Sequence, residues 1–172
     1  MLRFLIAGTL LGGLVLSLLN WLTAAILPPR YKQFRAPQAV VDTIRANVAD
    51  DDIYTAPQGV FVAVALRPEF SGHFQSVGPR VAAQFAIEFA VSLGLTLLLL
   101  ATRIRSPMHA ARLFGLTGLL AGVETHFPNW NWAGFPTSYL LAGSGYLAGN
   151  WLITGLLLGA IRRKLEVRGT SR

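Results

Sequence analysis

The sequence predicts an all-α membrane protein: a four-helix transmembrane bundle with a small α+β extracytoplasmic cap between helices 1 and 2. Of its 172 residues, 53% are hydrophobic and only 13% are charged, whereas soluble domains carry about 25% charged residues. The apolar residues also form four blocks close to the roughly 20 residues that cross a bilayer. Cysteine is absent, which excludes disulfide scaffolds, thiolate metal sites and thiol catalysis.

The four predicted spans belong to a single membrane domain, residues 1–172, and cover about 2–27, 81–102, 108–127 and 137–161. The first block is far longer than the roughly 7–15 apolar residues of a secretory signal, so we expect a retained helix. The third is the most polar, because Arg112 lies one turn inside its start and must snorkel to the interface.

Basic residues set the predicted orientation. With a cytoplasmic N-terminus, the inside segments hold nine basic residues and one acidic residue, while the loop 28–80 holds six basic and five acidic residues. This asymmetry places both termini in the cytoplasm. The excess of basic residues therefore reflects the membrane topology and does not indicate nucleic-acid binding. We expect the cluster Arg162-Arg163-Lys164 to contact anionic headgroups.

The extracytoplasmic insert, residues 28–80, reads as a helix followed by a hairpin. Ala36-Pro37-Gln38 opens a helical pattern, and strands are predicted at Ile53–Thr55 and Val60–Leu66. The segment is too small to hold a core alone, so it should pack on the outer ends of the helices. Asp50–Asp52 lacks the spacing of a calcium loop and is predicted to be a solvated helix end.

Four polar residues are predicted at similar depth in the outer third of the bundle. Glu88 lies seven residues into the second span, roughly 10 Å below the surface. Asn20 is equally far from the outer end of the first span, and Glu124 and His126 close the third. A carboxylate inside the membrane costs a few kcal/mol and marks a candidate functional site.

Three interpretations of this cluster remain open. In the first, a protonated Glu88 donates a hydrogen bond to Asn20 or to a backbone carbonyl and joins two helices. In the second, Glu88, Glu124 and His126 bind zinc, iron or manganese, with His73 as a further ligand. In the third, His126 is an axial ligand of a haem or chlorophyll-type ring.

The segment before the last span gathers five aromatic residues, and we expect a rigid, non-helical turn there because prolines and asparagines lie between them. The aromatic residues are Phe127, Trp130, Trp132, Phe135 and Tyr139. One interpretation is an interfacial belt that anchors the helices. The other is a platform for a partner helix, a lipid tail or a flat pigment or quinone ring.

Glycines spaced four apart predict close helix packing. The fourth span carries the pairs Gly145/Gly149 and Gly155/Gly159, and Gly118/Gly122 forms a pair in the third. Two pairs on one helix exceed what the bundle itself requires, so the sequence predicts a contact with another chain.

Motifs for phosphate binding, dinucleotide binding and nucleophilic hydrolysis are missing from the sequence. A pore would need polar positions repeated along a helix, and the inner halves of the spans are nearly all Leu, Ala and Gly. Enzyme and pore functions are therefore both disfavoured.

The turn Pro128–Tyr139, which contains N-W-N-W-A-G-F-P-T-S-Y, resembles that of a family of small uncharacterised bacterial four-span membrane proteins. Members have an outer segment of about fifty residues between spans one and two and a Trp-rich turn before span four. The resemblance implies this topology and a bacterial inner membrane, and it implies no activity.

Together these features predict a non-enzymatic accessory subunit of a larger membrane complex, whose partners are the lipid bilayer and other membrane subunits and not nucleic acid. The alternative is a protein that binds a metal, pigment or quinone through the outer Glu/His cluster. The sequence requires no cofactor, and a metal or a tetrapyrrole would suit these residues.

Overall fold

The computed structural model describes residues 1–26, 34–49, 53–56, 60–63, 77–102 and 104–170. These ranges form five α-helices: α1 (Leu2–Ile26), α2 (Pro37–Asn47), α3 (Val77–Ala101), α4 (Pro107–Ala133) and α5 (Thr137–Thr170). Two short strands, β1 (Ile53–Ala56) and β2 (Val60–Ala63), follow α2 in the chain. The prediction of a mainly helical protein is confirmed.

Three of the helices are long and apolar enough to cross a membrane, within the limits Leu2–Thr23, Val81–Ala101 and Thr137–Glu166. They correspond to the predicted first, second and fourth spans, and the membrane class of the protein follows. Helix α4 has 27 residues, enough to span, but polar side chains such as Arg112 and Glu124 lower its hydropathy. A fourth span therefore stays a prediction.

The chain divides into two compact units, of which the second, Pro29–Arg80, holds α2 and the strands. Helix α2 starts with Pro37, which suits a first turn because its missing N–H has no partner there. The strands pair antiparallel, with Ile53 opposite Ala63 and Ala56 opposite Val60. Asp50–Asp52, His73 and the last three residues of the predicted second strand lie outside the described residues. The predicted cap stays a prediction.

The first unit, Met1–Pro28 with Val81–Arg172, contains α1, most of α3, α4 and α5. Helices of this unit that follow one another in the chain run antiparallel, whereas α3 and α5, which contact each other, run in the same direction. Asn20 of α1 contacts Glu88 of α3 at one end, and Arg162 of α5 contacts Leu99 of α3 at the other. We call these the Glu88 end and the Arg162 end.

Glycines bring α4 and α5 into close contact. A Cβ atom at Gly118 would lie 2.7 Å from the carbonyl oxygen of Leu147, and one at Gly155 would lie 2.7 Å from that of Ala110. Gly122 and Gly159 are equally tight, since a Cβ would lie 2.6 Å from a Cα of the other helix. The pair Gly155/Gly159 is thus used within the chain.

The pair Gly145/Gly149 faces the opposite way. Both glycines are exposed, and a Cβ at either position would meet nothing within 4 Å among the described residues. The two glycine pairs of α5, indistinguishable in sequence, therefore have different surroundings.

The apolar core is concentrated toward the Arg162 end. It contains Phe4 of α1, Leu99 of α3, Phe114 of α4 and Leu158 of α5, all buried in one cluster. Beyond it, Arg162 donates from Nη1 to the carbonyl oxygen of Leu99.

Arg162 also donates from Nε to Glu166, at 3.0 Å. Glu166 pairs in turn with Arg105, at 3.6 Å. Arg162 is buried, so the expectation that it contacts headgroups is wrong. Its guanidinium instead satisfies a carbonyl in the last turn of α3.

The turn before α5 is shorter than predicted. Helix α4 continues through Pro128 to Ala133, and only residues 134–136 are non-helical. Pro128 has no N–H to donate to the carbonyl one turn earlier, so one helical hydrogen bond is missing there while the helix continues. The helix ends at Gly134, whose φ of 68° favours glycine.

Candidate functional site

A hydrogen-bonded group of polar side chains lies between α1, α3 and α5 at the Glu88 end. Glu88 is only 5% exposed, and its Oε1 accepts hydrogen bonds from Asn20 and, at 2.5 Å, from Gln84 one turn earlier. Asn20 Oδ1 accepts from Asn150 of α5 at 2.6 Å. Asn20 thus links all three membrane-capable helices.

The donor in the Asn20–Glu88 contact differs from the expected one. The sequence interpretation has Glu88 donating to Asn20, whereas in the structure the Asn20 amide donates to Glu88. A side-chain amide can both donate and accept a hydrogen bond. Asn20 does both, because its oxygen accepts a hydrogen bond from Asn150.

Helix α3 continues the polar group away from Glu88. Gln84, Glu88, Ser92 and Thr96 recur at every fourth residue, a spacing that keeps side chains on one helix face. Ser92 donates to the carbonyl oxygen of Gly8 at 3.1 Å. A Cβ at Gly8 would lie 2.8 Å from the Thr96 hydroxyl, so this face of α3 lies against α1.

We call this group the polar seam. It consists of Ser17 and Asn20 of α1; Gln84, Glu88, Ser92 and Thr96 of α3; and Asn150 and Thr154 of α5.

Two hydroxyls of the polar seam lack hydrogen-bond partners among the described residues. Ser17 is 4% exposed and Thr96 is 0% exposed, and neither side-chain oxygen has a partner there. Thr154, in contrast, donates to the Asn150 carbonyl at 2.8 Å. Each buried hydroxyl without a hydrogen-bond partner lowers stability by about 1–3 kcal/mol. Helix packing alone does not require such hydroxyls.

Sequence reasoning missed most of the polar seam. The four-residue repeat on α3 is visible in the sequence. Its members Ser92 and Thr96 lie in the inner half of the predicted span, which is otherwise nearly all Leu, Ala and Gly. Asn150 lies in the predicted fourth span, and nothing in its sequence position links it to Asn20. Its connection to Asn20 required the angular position of α5, which depends on how the glycines pack.

The other two members of the predicted outer cluster lie elsewhere. Glu124 is exposed on α4, and His126 packs edge-on against Tyr139, with ring centroids 5.0 Å apart. A Cβ at Gly143 would lie 2.3 Å from Nε2 of His126. The buried Nδ1 of the same ring has no hydrogen-bond partner among the described residues.

No hydrogen bond among the described residues joins Glu124 or His126 to Glu88. In the same part of the chain, no three His, Asp or Glu side chains are placed to hold a metal ion. Metal and tetrapyrrole binding stay predictions.

The predicted aromatic platform is divided into separate contacts. Phe127 lies 5.4 Å from Trp130, and Phe135 lies 4.9 Å from Tyr139, measured between ring centroids. Trp130 donates to the Thr137 hydroxyl at 3.1 Å, which ties the end of α4 to the start of α5. Trp132 projects outward, 86% exposed, as expected of an interfacial anchor.

No family model matches the sequence, and comparisons with curated proteins and with solved structures find no significant match.

Proposed function

We propose that this chain is a four-span protein of the bacterial cytoplasmic membrane and acts as a non-enzymatic accessory subunit of a larger membrane complex. In this arrangement α4 is the fourth span, with Arg112 at the interface near the Arg162 end. The Arg162 end, with both termini, faces the cytoplasm because most basic residues belong to it. The insert 28–80 then lies outside as a small cap.

One observation carries the subunit proposal: the open glycine pair of α5. Gly118, Gly122, Gly155 and Gly159 account for the close packing between α4 and α5. Gly145 and Gly149 add nothing to it, because nothing in the described chain lies within 4 Å of a Cβ at either position. Small residues four apart let the backbone of another transmembrane helix approach closely, so this face suits a helix of another subunit.

The test is the size of the native assembly after Gly149→Leu. In a gentle detergent extract of the native membrane, the natural chain should migrate with other polypeptides in a band far above its 18.6 kDa. Gly149→Leu should release it from that band, because leucine separates helices that pack on a glycine surface. Gly155→Leu is unsuitable, since that site is filled by α4.

Gly94→Leu provides the matched control for this experiment. Gly94 is also an exposed helical glycine with nothing within 4 Å of its Cβ position among the described residues, but it lies on α3. We expect this variant to stay in the large band. A natural chain that runs alone, or a Gly149→Leu variant that stays in the band, would contradict the proposal.

A further inference from the structure

The polar seam contains a carboxyl group that helix association does not require. Amide side chains alone could join the three helices, as Asn20 and Asn150 already join α1 to α5. An amide at position 88 could keep the same contacts without the cost of a carboxylate in the membrane. Glu88 has no ion-pair partner among the described residues, and its neighbours Asn20 and Gln84 are neutral. The carboxyl of Glu88 is the only acidic group of the seam.

On α3, two hydroxyl side chains lie beyond Glu88, toward the middle of the bundle. Ser92 and Thr96 continue the same face of α3, and each step of four residues advances about 6 Å along the helix. Two hydrogen bonds through one water molecule span nearly the same distance. A hydroxyl both donates and accepts, so this spacing suits a proton relay. The unpartnered oxygens of Ser17 and Thr96 are free for such bonds.

The relay has a polar end and an apolar end. Gln84, which bonds to Glu88, is exposed at the Glu88 end. At the level of Thr96 the helices close around Leu158, and about one turn further on around Leu99, and both leucines are fully buried. Leu158 also lies against α1, since its Cδ2 would be 3.4 Å from a Cβ at Gly8. Apolar constrictions of this kind limit conduction by excluding water.

We propose that the polar seam is a proton path through the membrane, with Glu88 as its proton-accepting group and Leu99 and Leu158 as the constriction. A proton enters at the Glu88 end and adds to the Glu88 carboxylate. The carboxyl then gives a proton through water to the Ser92 oxygen, while the Ser92 hydroxyl leaves the Gly8 carbonyl and passes its own proton on toward Thr96. It leaves at the Arg162 end when water wets the constriction. The inference goes beyond the subunit proposal and does not depend on it, because it concerns the isolated chain.

The test is proton flux into vesicles that contain only the purified full-length chain. Phosphatidylethanolamine and phosphatidylglycerol vesicles enclose a pH-sensitive dye, and valinomycin with a potassium gradient sets the driving potential. We expect acidification faster than in protein-free vesicles. Glu88→Gln should reduce the rate to the protein-free level, because an amide keeps the shape but cannot accept the proton.

Thr96→Val separates a proton path from a structural role. The Thr96 hydroxyl has no hydrogen-bond partner among the described residues, so its removal should leave the fold as stable as before, or more so, and should still lower the flux. Thr117→Val is the matched control. Thr117 lies on α4, outside the seam, and its hydroxyl bonds the Leu113 carbonyl at 2.8 Å, so this variant should keep the flux of the natural chain.

The outcomes are decisive provided that each variant elutes as a single folded species. Flux that is lost in both Glu88→Gln and Thr96→Val but kept in Thr117→Val supports the proton path. Flux no faster than in protein-free vesicles overturns it. So does flux that survives Glu88→Gln, because the path has no other carboxyl group.

Discussion

At the scale of single residues, depth in the membrane was readable from the sequence and side-chain direction was not. Counting from the helix ends places Asn20 and Glu88 at one level, and the structure brings them into contact. The same count places Glu124 beside them, yet Glu124 is exposed on α4. Depth depends on the number of residues along a helix, whereas direction depends on how each helix is rotated by its packing.

Arg162 illustrates the same limit. Its position beside Arg163 and Lys164 predicts a headgroup contact, but the side chain turns inward to a carbonyl of α3 and to Glu166. A basic residue near a helix end has two ways to satisfy its charge, lipid phosphate or protein acceptors. Sequence does not distinguish between them, because the acceptor is contributed by another helix.

Asn20 is the residue on which the polar seam depends most. Asn20→Leu removes the hydrogen bonds to Glu88 and Asn150, so we expect it to lower stability by about 1–3 kcal/mol, given about 0.6–2 kcal/mol for an interhelical bond in a membrane protein. The measurement is the thermal unfolding of the purified protein in detergent. Asn131→Leu is the control, because Asn131 is exposed near the end of α4. Equal unfolding temperatures for the two variants would show that the seam contributes nothing to stability.

At the scale of elements, the sequence predicted the membrane helices well and their ends less well. Apolar blocks are long, and their lengths match the bilayer thickness, so α1, α3 and α5 were recognisable. The end of α4 was predicted at about residue 127 and lies at Ala133. Proline and asparagine suggest an end to a helix in water, but here Gly134 determines it, because only its left-handed backbone turns the chain toward α5.

The contact between α4 and α5 depends on glycine at particular positions. A Cβ at Gly118 would lie 2.7 Å from a backbone oxygen of α5, and a backbone atom can give way only if the helices separate. We therefore expect Gly118→Ala to destabilise the bundle by about 1–3 kcal/mol, the usual cost of overpacking. Denaturation of the purified chain in detergent measures it.

Gly145→Ala is the control for that experiment, because it adds the same methyl group to the open face of α5. The unfolding of this variant should match that of the natural chain. If Gly118→Ala were as stable as Gly145→Ala, the close approach of α4 and α5 would not depend on glycine.

At the scale of the whole molecule, composition predicts a membrane protein, and three membrane-capable helices agree with it. The number of spans is harder to predict. Helix α4 is long enough to cross a membrane, but Arg112 and Glu124 lower its hydropathy. Helix α5 lies along α4 from Gly159, beside Pro107, to Gly143, beside His126. A helix packed so closely against a transmembrane neighbour should cross with it, and its two ends should then lie on opposite sides.

The natural chain has no cysteine, so single cysteines introduced at exposed positions report the side on which each position lies. Trp132→Cys at the end of α4 should react with a membrane-impermeant maleimide in intact spheroplasts. His109→Cys at its start and Arg163→Cys on α5 should react only after the membrane is permeabilised. This pattern requires that α4 cross the membrane and that the Arg162 end face the cytoplasm. Labelling of His109→Cys and Trp132→Cys from the same side would leave three spans, and a fully reversed pattern would invert the orientation. In the inverted case the proton path would open toward the cytoplasm, because Glu88 and Gln84 would then lie on that side.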